Sequence, residues 1–311
     1  RSANSTTSSP AVGGRSSSGT AILAAGFDGA SNIAQLSGTP ISLGAPNGRW
    51  LLYVQDDSLP VLGMPYAFLQ YGSTYPKTAL GSGDGIVFAQ PVVLTLRSAQ
   101  SPSKTYDATT SVPALPPASL SVAGLRPGQQ LGTPLQAPTL AFVQPDVGSG
   151  IATTIGVFDP AVHDGQGRPV FGYTFESAIT GDITPRPLTL SAVVAADKVY
   201  DGTRTATLSG GTLGNLVAGE TLGLGYAGAL FDTADVGAGK LVSGAVALSD
   251  GLGRASNYRL SAGVATARAS IEPATLTYLA DPVTAFRGLL PSVYTGSVGG
   301  FVGEETLSGA T

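Results

Sequence analysis

A block of about ninety residues is written twice in this chain and a third copy is begun, the mark of a tandem modular protein. Pro91, Leu94-Thr95-Leu96 and Lys104-Thr105-Tyr106-Asp107-Ala108-Thr109 return as Pro185, Leu188-Thr189-Leu190 and Lys198-Val199-Tyr200-Asp201-Gly202-Thr203. Phe142 and Asp146-Val147-Gly148-Ser149-Gly150 return as Phe231 and Asp235-Val236-Gly237-Ala238-Gly239, and Gly172-Tyr173 as Asn257-Tyr258. A third unit opens at Pro273 with Leu276-Thr277-Tyr278 and stops at Thr311. The order of anchors holds while the spacing between copies shortens, as happens when surface loops lose residues and a framework does not. Repetition also constrains function. An enzyme needs one site, whereas spacers and adhesive stalks need length.

The residues between the anchors read as strands. Gly48 to Val54, Ile86-Val87-Phe88, Val92 to Leu96, Leu140 to Val143, Phe171 to Phe175, Leu188-Thr189-Leu190, Val242 to Leu248 and Leu276-Thr277-Tyr278 are short, β-branched or aromatic runs with turn residues between them. No window keeps apolar residues at helical spacing without an interrupting Gly or Pro. The expectation is an all-β chain of tandem small β-sandwiches (Ig-like) or related all-β modules, with room for about seven strands per repeat. Residues 1–20 are a Ser/Thr/Gly-rich flexible arm, and 21–90 a β-rich module where the end of a β-helix would fit. Repeats then cover 91–184, 185–272 and 273–311. Short proline joints at Ile183-Thr184-Pro185 and Ile271-Glu272-Pro273 favour extended backbone and a stiff, rod-like succession of units.

Composition narrows the function classes. Hydrophobic residues are 42% of 311, enough for packed cores despite 43 Gly and 22 Pro. Only 12% are charged, so Ser, Thr, Gln and backbone must cover much of the surface, which suits an extracellular structural protein. The net charge is −4 without a basic cluster, which leaves nothing for nucleic acid to bind by counterion release. The absence of cysteine excludes disulfides, thiolate catalysis and zinc–thiolate sites. No apolar run is long enough for a membrane helix.

The candidate motifs favour structure over chemistry. Tyr106 and Tyr200 sit at strand ends, where a ring is buried and its hydroxyl pins nearby backbone. Asp107 and Asp201 follow, placed to accept from an N–H two residues on in an Asx-turn. Gly202 alone suggests a positive-φ hairpin, but Ala108 in the first copy argues against a strict requirement for it. The loops opening at Asp146 and Asp235 supply one carboxylate each, too few for calcium, and Gly81-Ser82-Gly83-Asp84-Gly85 has the same weakness. They read as turns, with no metal. His163 is the only histidine, in a polar glycine-rich loop, and no Gly-x-Ser-x-Gly elbow accompanies it. Asp56-Asp57 and Glu304-Glu305 are adjacent, so on a strand each pair points to opposite faces rather than forming an acid/base couple. No catalytic residue or cofactor is assigned. Trp50 and most tyrosines read as core.

Lys198-Val199-Tyr200-Asp201-Gly202-Thr203, Gly219-Glu220-Thr221-Leu222, Asp235 to Lys240, Asn257-Tyr258 and Ile271-Glu272-Pro273 together resemble the YDG repeat domain of large bacterial surface proteins of the filamentous haemagglutinin type. The first repeat departs from that pattern with Ala108, Gly128-Gln129-Gln130-Leu131 and Gly172-Tyr173. Residues 273–311, with Tyr278, Phe286, Tyr294, Gly300-Phe301-Val302 and Glu305-Thr306-Leu307, resemble the start of the related MBG repeat. Ala45 to Tyr53 resembles the segment that follows the long β-helix in such proteins. The resemblance implies two-partner secretion through an outer-membrane β-barrel, an extracellular or cell-surface location, and roles in adhesion, aggregation or biofilm. The expected partners are that barrel and a host or cell-surface glycan or protein. The alternative is an array of carbohydrate-binding modules, which needs, in both repeats, a concave polar groove or an exposed aromatic platform such as a face bearing Tyr226 and Tyr258. Least favoured is a carboxylate-dependent glycan-active enzyme.

Overall fold

A computed structural model of the chain describes residues 20–24, 49–57, 65–132 apart from 76 and 78, 137–284, 287–288 and 293–307. The arm before Thr20, Ala45 to Gly48, and Phe286 lie outside these residues. The described chain is all-β, broken only by two single 3₁₀ turns at Pro117–Ser119 and Ala255–Asn257. It groups into two compact units. One comprises Arg1–Lys104, Thr110–Gln144 and Ser149–Asp182, the other Thr105–Thr109, Pro145–Gly148 and Ile183–Thr311. The motif segments around Tyr106 and Asp146 therefore belong to the unit that holds the second repeat.

The first unit opens on a parallel ladder. Thr20–Ala24, Arg49–Val54, Gly85–Phe88, Phe68–Gln70 and Pro169–Phe171 pair side by side in that order, and Val162–His163 and Gln130–Leu131 add antiparallel at the edge. Parallel strands of this kind are covered on both faces, which is why Trp50 to Val54 and Ile86 to Phe88 read as unbroken apolar runs. Their side chains part by the two-residue period of a strand. Trp50, Leu52, Val54, Ile86 and Phe88 enter one core, and Leu51, Tyr53, Phe68 and Val87 enter another.

The second repeat is a sandwich of a three-stranded and a four-stranded sheet. Arg186–Ala195 lies between antiparallel Leu208–Gly214 and parallel Tyr258–Leu260. Lys198–Val199, Val264–Glu272, Gly237–Asp250 and Leu222–Phe231 form the other sheet. Ala195 and Leu208 from the first sheet meet Phe231, Val242, Ala265, Ala269 and Ile271 from the second in one core. The first repeat is built alike, with Val92–Ser98 between Leu120–Ala123 and Tyr173–Ser177, and a second sheet of Ser103–Thr105, Thr180–Thr184, Gly148–Ile155 and Leu140–Phe142. The second repeat thus holds the seven strands that its length suggests, while the first holds these seven and three more, Gln130–Leu131, Val162–His163 and Pro169–Phe171, which pair in the ladder.

Register is kept too. Thr95 pairs with Ala123, Thr189 with Gly214 and Thr277 with Gly299, so the third unit starts its hairpin in the frame of the first two. One expected strand is two. Phe171 to Phe175 is cut at Gly172, which takes φ +80° and lets the chain pass from the ladder into the sheet of Val92. His163 also moves, from an expected loop into a short strand opposite Gln130 and Pro169.

Candidate functional site: tyrosine clamps on a polar turn

Three four-residue turns carry the most specific side-chain geometry in the molecule. Gln129 N–H donates to Arg126 O, Glu220 N–H to Val217 O and Glu305 N–H to Val302 O, at 3.0, 3.1 and 3.2 Å. These are equivalent positions in the three units, just past the hairpin whose register is shared. Each turn aims its last side chain at tyrosines.

In the second unit, Tyr106 Oη donates to Glu220 Oε1 at 2.6 Å and Tyr258 Oη donates to Glu220 Oε2 at 2.6 Å. The two rings meet edge-to-face with centroids 5.4 Å apart. Val217 N–H donates to Tyr258 Oη at 3.1 Å, tying the turn to the same hydroxyl. Burial, then the Glu220 hydrogen bond, pushes the Tyr106 phenol up to about 12. The same two causes raise Tyr258. In the first unit Gln129 stands where Glu220 does. Its Oε1 accepts from Tyr173 Oη and its Nε2 donates to Tyr71 Oη at 3.3 Å, with the Tyr71 and Tyr173 rings 5.3 Å apart. An amide has one acceptor atom to offer where a carboxylate has two, so Tyr71 sends its proton elsewhere, to Asp57 Oδ2 at 3.1 Å. Burial, then the Asp57 charge, raises Tyr71 to about 12, and burial raises Tyr173.

The third turn has one tyrosine. Tyr200 Oη donates to Glu305 Oε1 at 2.5 Å, and that hydrogen bond raises the Tyr200 phenol ahead of the smaller effect of burial. The clamp tyrosines are held by the proline joints. Tyr106 N–H donates to Thr184 O and Tyr200 N–H to Glu272 O, the carbonyls just before Pro185 and Pro273. Proline directs the preceding residue into extended backbone, which presents that carbonyl sideways to a neighbouring strand.

Sequence reasoning expected the Tyr106 and Tyr200 rings to be buried and their hydroxyls to pin nearby backbone; Tyr106 is buried and Tyr200 half-buried, but the hydroxyls have other partners. They reach a carboxylate more than a hundred residues away for Tyr106 and Tyr200, not nearby backbone. Gln129, Glu220, Glu305, Tyr71 and Tyr173 were not expected in the site. A Glu before Thr-Leu at both 220 and 305 is the one signal that marked it.

The Asx-turns form at both copies. Asp107 Oδ1 accepts from Thr109 N–H and Asp201 Oδ1 from Thr203 N–H, at 2.9 and 2.8 Å. Lys198 Nζ lies 2.6 Å from Asp201 Oδ1, and with the Thr203 bonds it draws that carboxyl down to about 2. The expectation about φ is corrected. Ala108 takes φ +61° and Gly202 φ +74°, so the turn needs the left-handed region in both copies. The Asp loops separate. Asp146 accepts from Asn257 Nδ2 at 2.8 Å and pairs with Arg254 at 3.0 Å, while Asn257 Oδ1 takes the Val147 N–H. Asp235 is exposed, and no donor reaches its carboxylate among the described residues. Asp84 accepts from Trp50 N–H, closing the glycine-rich turn. Beside His163, buried Asp164 is held by Tyr66 and by the amides of Gln166 and Arg168, with Arg168 stacked 3.5 Å over the Tyr66 ring. Burial would raise the Asp164 carboxyl, but the Arg168 and Gln166 bonds outweigh it and hold it low.

These contacts orient and lock; none places a nucleophile against a base. No helix among the described residues is long and apolar enough to cross a membrane. No curated protein and no solved structure matches the chain. A family model does match, over most of the second repeat and including Glu220 and Tyr258: residues 184–267 form a YDG domain.

Proposed function

We propose that this chain is a structural and adhesive segment of a secreted bacterial surface exoprotein of the filamentous haemagglutinin type, with an MBG-like third unit and export through a two-partner β-barrel. One observation carries the reading: the recurring chemistry is the clamp, a device that fastens a turn to the end of a preceding element. Duplicated scaffold with fixed internal fastening is what a load-bearing or display array requires. Adhesion then comes from many weak contacts whose effective concentration is raised by the array. The carbohydrate-module alternative is weakened by its own rings. Tyr258 is only 6% exposed, and Tyr226 is half-buried with its hydroxyl on Gly210 O.

The test is to display the 311-residue chain on beads and to probe the soluble monomer on a glycan array. The expected outcome is density-dependent adhesion to cells or bead aggregation, with no saturable glycan binding by the monomer. Tight monovalent glycan binding would replace this reading with the carbohydrate-binding one.

A further inference from the structure

Among the described residues the third clamp has one tyrosine, and the place of a second can be specified from the two clamps that have both. Leu94 and Leu188 are both 0% exposed, each beneath a parallel strand that begins with the clamp tyrosine, Tyr173 or Tyr258. Their counterpart Leu276 is 51% exposed. Along it runs a groove of about 500 Å³ within the second compact unit, lined by Tyr200, Val236, Pro273, Leu276, Phe301 and Glu305. No second tyrosine reaches Glu305 among the described residues, and Tyr278 and Tyr294 point into solvent. Val236, which lines the groove, and its neighbour Asp235 are exposed, and they correspond to the Val147 and Asp146 that grip Asn257.

We propose that this groove is a binding site for an Asn-Tyr strand of a YDG-type module. The strand adds parallel to Ala274–Leu276, as Tyr258–Leu260 adds to Arg186–Leu188. Its tyrosine lays its ring edge-on against Tyr200 and donates to Glu305 Oε2. Its asparagine bridges the Asp235 carboxylate and the Val236 N–H, and its apolar side chains cover Leu276. Main-chain pairing supplies affinity, and the asparagine and tyrosine supply specificity, the mode of β-strand addition. The occupant follows from the second clamp, which seats Asn257-Tyr258 on Asp146, Val147 and Glu220 beside Tyr106, while the first seats Gly172-Tyr173 on Gln129. It does not depend on the adhesive reading.

The test replaces residues 308–311 with a copy of residues 223–272, so that the copy follows Leu307, the position equivalent to Leu222. Hydrogen exchange at 235–237 and 274–276 is expected to slow at least tenfold, and Tyr200 to titrate later than in the unextended chain. Changing the copied Asn-Tyr to Ala-Ser should abolish both effects. Should the extension fail to fold, a synthetic peptide of residues 253–262 is added in trans at millimolar concentration. It should shift the NMR signals of Tyr200 and Leu276 in the chain but not in its Glu305→Ala variant. Protection that survives the Ala-Ser change, peptide shifts that survive Glu305→Ala, or closure of the groove by self-association of the unextended chain would overturn the proposal.

Discussion

At the scale of single residues, two positions separate what a side chain prefers from what the fold demands. Ala108 sits at φ +61° where Gly202 sits at +74° in the other copy. A non-glycine residue held in the left-handed region costs about 1–2 kcal/mol, part of which is returned by the stiffer unfolded chain. Ala108→Gly should therefore stabilise the protein by about 1 kcal/mol in chemical denaturation. Gly202→Ala should destabilise it by about 1–2 kcal/mol, since its new Cβ would also lie 3.3 Å from Val302 Cγ1. Glu220 makes the second contrast. Glu220→Ala leaves two buried phenols without an acceptor and should cost about 3 kcal/mol. Glu220→Gln keeps one acceptor and should cost about 1 kcal/mol, because Tyr106 has no counterpart of the Asp57 that takes the Tyr71 proton. Absorbance at 295 nm adds a second readout, as Tyr106 should ionise at lower pH in both variants.

At the scale of elements, alternation and apolar runs located the strands but not where a strand changes sheet. Phe171 to Phe175 has the pattern of one strand, and Gly172 divides it between two sheets. The division is enforced by proximity, because a Cβ on Gly172 would fall 2.1 Å from Tyr71 O. Asn257 fills the equivalent place in the second repeat, in a 3₁₀ turn without positive φ, so equivalence in sequence hides a difference in backbone. Gly172→Asn should therefore fail where its counterpart tolerates that residue, at a cost of about 3 kcal/mol or more in thermal or urea unfolding. The other residues shared between copies, such as Thr95, Thr189 and Thr277, were legible as repeats. Their common register was not, since pairing is set by partners that lie dozens of residues away.

At the scale of the whole molecule, the clamps and Asx-turns should bound the pH range of stability from both sides. A tyrosine whose phenol is raised when folded holds its proton more tightly in the native state. Its contribution is intact below pH 10.0 and lost as pH climbs towards about 12, the value reached by Tyr71 and Tyr106. A carboxyl lowered when folded acts in the opposite sense. For Asp201 the contribution is intact above 3.8 and lost as pH falls towards about 2, and Asp164 adds in the same direction. Circular dichroism melts across the pH scale should give a plateau between these limits, and Glu220→Gln should move the alkaline edge while leaving the acid edge in place. An alkaline edge that does not respond to Glu220→Gln would show that the clamp does not set it.

The sequence by itself determined that this chain is all-β and repetitive, that Tyr106 buries its ring, and that Asp107 and Asp201 shape turns. Those features depend on neighbours within a few residues, where period, turn chemistry and repetition are visible. Only the tertiary structure decided which hydroxyl meets which carboxylate, that Asp146 is gripped while Asp235 is exposed, and that Leu276 is exposed where Leu94 and Leu188 are buried. Such pairings join residues up to more than a hundred positions apart, and what selects them is the stacking of one sheet edge on the next turn. That information lies in three-dimensional proximity, which a repeat in one dimension can announce but not arrange.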